Sequence, residues 1–219
     1  MQIAIDGPSG SGKSTIAREL AAKLGFIYID TGAMYRAVGL YGLRNNLNLD
    51  DEVAIGEALK NINLDISYVG GSQHIYLNGE DVTMAIRTAE GGLAASAVAR
   101  FAAVRDLVVK FSSQIAEGQN AIMDGRDIGT VVLPAADLKI FLKASPEERV
   151  KRRCKELEEL GKTADFDDIL QQIIARDFQD ENRVESPLKI AENAHIIDST
   201  AMNIKEVLEY ILNLVSEVS

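Results

Sequence analysis

Residues 7–15, Gly7-Pro8-Ser9-Gly10-Ser11-Gly12-Lys13-Ser14-Thr15, carry the spacing G-x-x-x-x-G-K-[ST]. Glycines in this pattern let backbone N–H groups turn inward around a phosphate with no Cβ in the way. Lys13 would bring a full charge to the outer phosphates, and the Ser14 hydroxyl has the chemistry to ligate Mg²⁺. A helix beginning near Lys13 would aim the positive end of its dipole at the same spot. The spacing predicts a nucleoside triphosphate held with Mg²⁺, and is silent on what the phosphate energy does.

Other residues bear on that question. A GTP switch would need an N-K-x-D guanine motif and a D-x-x-G after the second core strand, and a transporter-type ATPase an L-S-G-G-Q-like signature; the chain has none of these. It has arginines at structured places instead. Arg36 ends Asp30-Thr31-Gly32-Ala33-Met34-Tyr35-Arg36, where Thr31 and Gly32 are expected to cap a helix and present N–H groups to an anion. Asp124-Gly125-Arg126-Asp127 is expected just past the carboxyl end of a strand, the edge where open parallel sheets hold ligands. Arg176 and Arg183 flank Asp180, and either alone reads as a surface ion pair.

A monophosphate acceptor fits this set. Its oxygen is already ionised near neutral pH, because a phosphate monoester has a second pKa of about 6. The problem is then to bring two polyanions together, which bidentate arginines and Mg²⁺ solve without a general base. A hydroxyl acceptor would need a carboxylate to take its proton, and Asp127 or Asp30 is available, so a small-molecule kinase stays open. Asp124 has two readings of equal weight, a holder of metal-bound water or a capping carboxylate.

The elements that must position these groups alternate. Gln2–Asp6 reads as a strand, Ser14–Leu24 as a helix ended by Gly25, and Phe26–Ile29 as a strand, which makes a βαβ unit and implies a parallel sheet. Helices are expected over Ala33–Arg44 and about Asp51–Asn61. Asp65–Tyr68 and His74–Leu77 then read as a hairpin, with Asn78-Gly79 as a second turn. Helical patterns cover Gly91–Glu117, and strands are expected at Ala121–Met123, Leu138–Leu142 and His195–Ile197. Ser145-Pro146-Glu147-Glu148 has capping-box spacing and opens a helix to about Leu160. Ala164–Gln179 and the carboxyl-terminal stretch are helical. The expected fold is α/β, a P-loop three-layer αβα arrangement on a central five-stranded parallel sheet, with a small lid and an inserted β-hairpin. We expect one domain over residues 1–219, with a monophosphate-binding region at about 33–100, the β insertion at about 63–84 and a short lid at about 149–165.

The 23 basic and 33 acidic residues give a net charge of −10, which excludes a general electrostatic pull on nucleic acid or anionic membranes. The single cysteine, Cys154, has no internal disulfide partner and reads as a plain helical position. No stretch approaches the ~18 uncharged apolar residues of a membrane helix, and Met1–Ile5 has no basic leader, so a soluble cytoplasmic protein is expected, and nothing in the sequence requires more than a monomer.

From Met1 to about Val215, nearly the whole chain, these motifs resemble bacterial cytidylate kinase, within the nucleoside monophosphate kinases of P-loop type. The resemblance rests on GPSGSGKST, IDTGAMYR, LNGEDVT followed by Ile86-Arg87-Thr88, DGRDIGTVV, Arg149-Val150-Lys151-Arg152-Arg153, RDFQDENR with Ser186-Pro187-Leu188, and Asp198-Ser199-Thr200. It implies transfer of the γ-phosphate of ATP, with Mg²⁺, to cytidine monophosphate (CMP) or dCMP. It also implies that Arg36, Arg126 and Arg183 hold the acceptor phosphate, that Ser96, Arg105 and Asp127 read the cytosine edge, and that Arg176 and Asp180 face the sugar. Thr31 and Tyr35 count with the substrate-binding residues, Lys13, Arg126, Arg152 and Arg153 with the catalytic ones, and Ser14 and Asp124 with the metal. Arg152 and Arg153, in the lid, are implied phosphate contacts. Thr31 stands where many family members have serine, which keeps the hydroxyl. The alternatives are a UMP or AMP kinase on the same scaffold, or a non-catalytic ATP-binding regulator; one cysteine excludes a four-cysteine zinc lid.

Overall fold

Ile3, Ala4 and Ile5 are wholly buried, and the strand they form, β1 (Gln2–Asp6), is the central strand of the sheet in the computed structural model, which describes residues 1–159, 161 and 163–218. A strand buried on both faces reads as a continuous apolar run, and this one does. The sheet order is β2-β6-β1-β7-β8, formed by β2 (Ile27–Asp30), β6 (Ala121–Gly125), β7 (Leu138–Lys143) and β8 (His195–Asp198) around β1. The pairs β1–β6, β1–β7 and β7–β8 are parallel, as the strand–helix alternation predicts. The α/β fold with a five-stranded sheet is as expected.

By its internal contacts the chain divides into Met1–Phe26 with Asn120–Ser219, and Ile27–Gln119. In the first unit, α1 (Lys13–Leu24) buries Ile16, Ala17, Leu20 and Ala21, and α8 (Ile204–Val218) buries Val207, Leu208, Ile211, Leu214 and Val215. Each fully buried valine, leucine or isoleucine among these contributes about 1.5–3 kcal/mol. The helix opened by Ser145 is α6 (Pro146–Glu159), and the Ser145 hydroxyl accepts from the Glu148 N–H at 3.2 Å. With α7 (Phe166–Asn182) it makes a small apolar cluster of Val150, Ile169 and Ile173, on which Cys154 packs. The predicted helix end at Leu160, and residues 160 and 162 of the predicted lid, lie outside the described residues.

In the second unit, α2 (Thr31–Arg44) follows β2, and Asp51 caps α3 (Glu52–Ala58), which ends in a 3₁₀ turn at Leu59–Asn61. The hairpin comprises β3 (Leu64–Val69) and β4 (Ser72–Leu77), and a third short strand, β5 (Glu80–Asp81), pairs with β4. The Gly91–Glu117 stretch is not one helix but two, α4 (Ala89–Val98) and α5 (Ala102–Ala116). Neither glycine nor proline marks the break. Phe101 adopts an extended backbone between them and is 7% exposed, so burial of its ring redirects the chain against local helical preference. Among the described residues no helix is long and apolar enough to cross a membrane.

Candidate active site

In the first unit, the phosphate loop runs from β1 into α1. Gly7 has φ 149°, and a Cβ there would stand 2.0 Å from the Leu142 carbonyl oxygen, so only glycine lets the loop leave β1 so close to β7. Gly12, at φ 92°, precedes the first turn of α1. Lys13 is buried, and its Nζ donates to Pro8 O at 2.7 Å and to Ser11 Oγ at 3.4 Å. The Ser14 hydroxyl donates to Asp124 Oδ2 at 2.8 Å.

Asp124 lies inside β6, opposite Ile5, and not at a helix terminus, so the capping reading fails. Its carboxylate and the Ser14 hydroxyl form a compact pair of hard oxygen donors. Among the described residues no group of three or more His, Cys, Asp or Glu could hold a metal ion. One hydroxyl and one carboxylate suit Mg²⁺, which keeps several waters and takes its other oxygens from substrate phosphates.

Beside Lys13 stands a cluster of charges. Arg126 donates from Nε to Asp180 Oδ2 at 2.7 Å and from Nη1 to its neighbour Gly125 O at 3.2 Å. Arg183 lies 3.7 Å from Asp127 and 3.9 Å from Asp180, and its Nε donates to Ser186 O at 2.7 Å. Burial would raise the Asp180 pKa, but Arg126, Arg176 and Arg183 outweigh it and hold the carboxyl below its usual range. Burial and the nearby Arg126 charge push the Lys13 pKa well below its ordinary value, against the pull of Asp124, Asp180 and Asp6. The neighbouring carboxylates offset only part of the burial and Arg126 effects on Lys13, so a further anion would favour its charged form.

The basic run in α6 splits into different jobs. Arg149 is 3% exposed and holds the loop from the side, with Nη1 donating to Ser9 O at 3.0 Å and the guanidinium paired to Asp177 at 2.6 Å. Arg152 donates to Ser11 O at 3.2 Å and to Ser199 O at 2.7 Å. Arg153, grouped with Arg152 in the sequence reading, lies on the exposed face and pairs with Glu156 at 2.7 Å. Sequence reasoning gave Arg149 no role; its only signal was a place in a basic run.

Asp6, also missed, closes β1 with a buried carboxylate. Oδ1 accepts from Ile128 N and Oδ2 from Gly129 N, both at 2.8 Å, which fixes the chain just after Arg126 and Asp127. Burial, with the Asp127 charge adding, raises its pKa to about 6 against the two amide bonds and Lys13. A raised folded-state pKa means that stability is fully present below about pH 4 and is lost as pH rises through about 6. The shift of roughly two units corresponds to about 3 kcal/mol. Denaturant unfolding of the protein and of Asp6→Asn from pH 4 to 7 is expected to show the unsubstituted protein losing about 2–3 kcal/mol relative to the variant across that window. Parallel curves would mean that Asp6 does not titrate there.

In the second unit, Asp30, rather than Thr31 or Gly32, caps α2, because its carboxylate takes the N–H bond that a threonine cap would otherwise supply. Oδ1 accepts from Ala33 N at 2.9 Å and Oδ2 from Arg36 Nη2 at 2.8 Å, so Thr31 is the first helical residue and is buried. A Cβ on Gly32 would sit 3.1 Å from Arg36 Nη1, so the glycine makes room for that guanidinium. The Arg105 guanidinium lies over the Tyr35 ring at 5.7 Å and donates to Ala99 O at 3.2 Å, while Ser96 is half-buried on α4. The second unit thus brings Tyr35 and Arg105 together, with Arg36 one residue beyond Tyr35 on α2.

Comparison with known proteins gives the family. The family model described as cytidylate kinase matches residues 3–217. The cytidylate kinase of Caldicellulosiruptor bescii is 50% identical over 218 residues, covering 100% of this chain and 96% of the relative. That of Shouchella clausii is 46% identical, covering 99% and 96%. Among solved structures, a shikimate kinase from Bacteroides thetaiotaomicron superposes with a TM-score of 0.51 at 14% identity, covering 99% of this chain and 98% of its own. A likeness at that identity speaks for the fold alone.

Proposed function

Because this chain belongs to the cytidylate kinase family, we propose that it transfers the γ-phosphate of ATP to CMP or dCMP. The observation that carries the reading is the glycine loop itself, with Lys13 buried in it and Ser14 bonded to Asp124 at 2.8 Å, beside Arg126 held on Asp180 at 2.7 Å. Lysine and arginine held in place by carboxylates support a site where phosphates of donor and acceptor meet. ATP would lie on residues 7–15, and Ser14 and Asp124 would hold Mg²⁺, which would supply positive charge against the phosphates.

The chain's own residues account for the rest. Lys13 follows the charge on the moving phosphoryl group, and Arg126 and Arg183 hold the acceptor phosphate; Arg36, in the second unit, has the chemistry for the same ligand. An ionised phosphate oxygen attacks without a base, so Asp127 and Asp180 serve to orient arginines rather than to take a proton. Ser96 and Arg105 in the second unit have donors, and Asp127 in the first an acceptor, of the kinds that a base with both a carbonyl and an exocyclic amine calls for. Arg176 and Asp180 would meet the ribose. Arg149 and Arg152, anchored to carbonyls of the loop, tie α6 to the bound triphosphate. We place Arg153 with them only if α6 shifts to bring it inward. In domain terms, we assign residues of about 33–100 to monophosphate binding and about 149–165 to the lid.

ADP formation with CMP, dCMP, UMP, AMP and GMP side by side tests this directly. CMP and dCMP are expected to be the best acceptors. AMP or GMP turning over at the CMP rate would remove the cytidylate assignment.

A further inference from the structure

The inserted hairpin reaches Asp30 through one side chain. Gln73 lies on β4, where alternate residues turn inward, and it is 8% exposed. Its Oε1 accepts from Asp30 N at 2.8 Å and its Nε2 donates to Asp30 O at 3.4 Å. A buried glutamine with both ends of its amide on the same residue holds that residue's backbone in place. Asp30 has both backbone polar groups on Gln73, and both carboxylate oxygens on α2, one on Ala33 N and one on Arg36 Nη2.

The chain of contacts ends on a group with spare capacity. Arg36 Nε is buried and has no hydrogen-bond partner among the described residues. Its side chain is only 25% exposed, and the guanidinium sits in the gap that Gly32 leaves. Leaving a buried donor unsatisfied is costly unless a ligand completes it. The orientation of that donor depends on Asp30, and the placement of Asp30 depends on Gln73.

We infer that Gln73 is a positioning residue for the acceptor phosphate, by which the inserted hairpin sets the Asp30–Arg36 pair. The inference rests on the reading of Arg36 as a phosphate contact. It gives the insertion a role in acceptor affinity, and it separates Gln73 from the rest of the hairpin. His74, the next residue on β4, turns the other way and pairs with Asp81 at 2.9 Å.

Gln73→Met keeps length and bulk but removes both hydrogen bonds. It is expected to raise KM for CMP about tenfold, with KM for ATP within about twofold and a smaller change in kcat. His74→Ala, in the same strand, leaves KM for CMP unchanged. A purely structural role is separated by a double-mutant cycle: in an Arg36→Ala background, Gln73→Met adds little to the CMP defect, because its target is gone. Equal defects in the two backgrounds, equal rises in both KM values, or no effect of Gln73→Met overturn the inference. Where Gln73→Met does not fold, Gln73→Glu, which retains the acceptor for Asp30 N, carries the same cycle. Absence of CMP phosphorylation by the unsubstituted protein would remove the underlying function; normal activity with an indifferent Gln73 would remove this inference alone.

Discussion

Arg126→Ala is expected to lower kcat/KM for CMP on the order of 10²- to 10³-fold while ATP affinity stays within about twofold. Arg126 is held rigidly, by Asp180 at 2.7 Å and by Gly125 O, so its charge is aimed before any ligand arrives. Pre-aimed charge needs no reorganisation during transfer, which makes it worth more than a mobile surface arginine. Its removal also leaves the buried Asp180 carboxylate without its nearest cation, so a repelling charge would face the incoming acceptor. Arg126→Lys should recover only part of the loss, since an ammonium cannot make the two-pronged contact of a guanidinium. Steady-state kinetics with CMP varied, alongside ATP titration of the variant, separates these effects. Near-normal turnover of Arg126→Ala would show that charge clamping is not how the acceptor is held.

Lys13→Met is expected to lower kcat by about 10³-fold, with a circular dichroism spectrum like that of the unsubstituted protein. Two of the three ammonium donors are engaged with the loop itself, on Pro8 O and Ser11 Oγ, so part of the role of Lys13 is to hold the loop's shape. The larger part is charge. Burial beside Arg126 disfavours the ammonium, and a triphosphate would restore it, so nucleotide binding and protonation of Lys13 are coupled. Methionine keeps the apolar stem and loses the charge. A variant that retains more than about a tenth of the activity would place the main electrostatic work elsewhere.

Much of this was legible in the sequence because the phosphate loop is local: the residues that cradle an anion are adjacent in the chain, and their spacing carries the geometry. Parallel strands and the hairpin were legible for the same reason, through short apolar runs and glycine turns. The less legible parts depend on long-range contacts. Asp6 looks like the end of a strand, and only the fold reveals that it takes two amide hydrogens from residues 128 and 129. Gln73 and Arg149 are ordinary polar residues in sequence, and each is defined by a carbonyl or amide far away in the chain. The break between α4 and α5 carries no turn residue, since it is set by where the Phe101 ring goes. Of the two adjacent arginines in α6, helical geometry turns Arg152 toward the loop and Arg153 toward water, a difference of one position that composition does not encode.

The central claim is that donor and acceptor phosphates occupy the protein together. Calorimetric titration of CMP into protein saturated with Mg²⁺ and a non-hydrolysable ATP analogue tests it most directly. We predict one CMP bound per chain, with affinity undiminished by the analogue. CMP that binds only by displacing the analogue, or not at all, would contradict it.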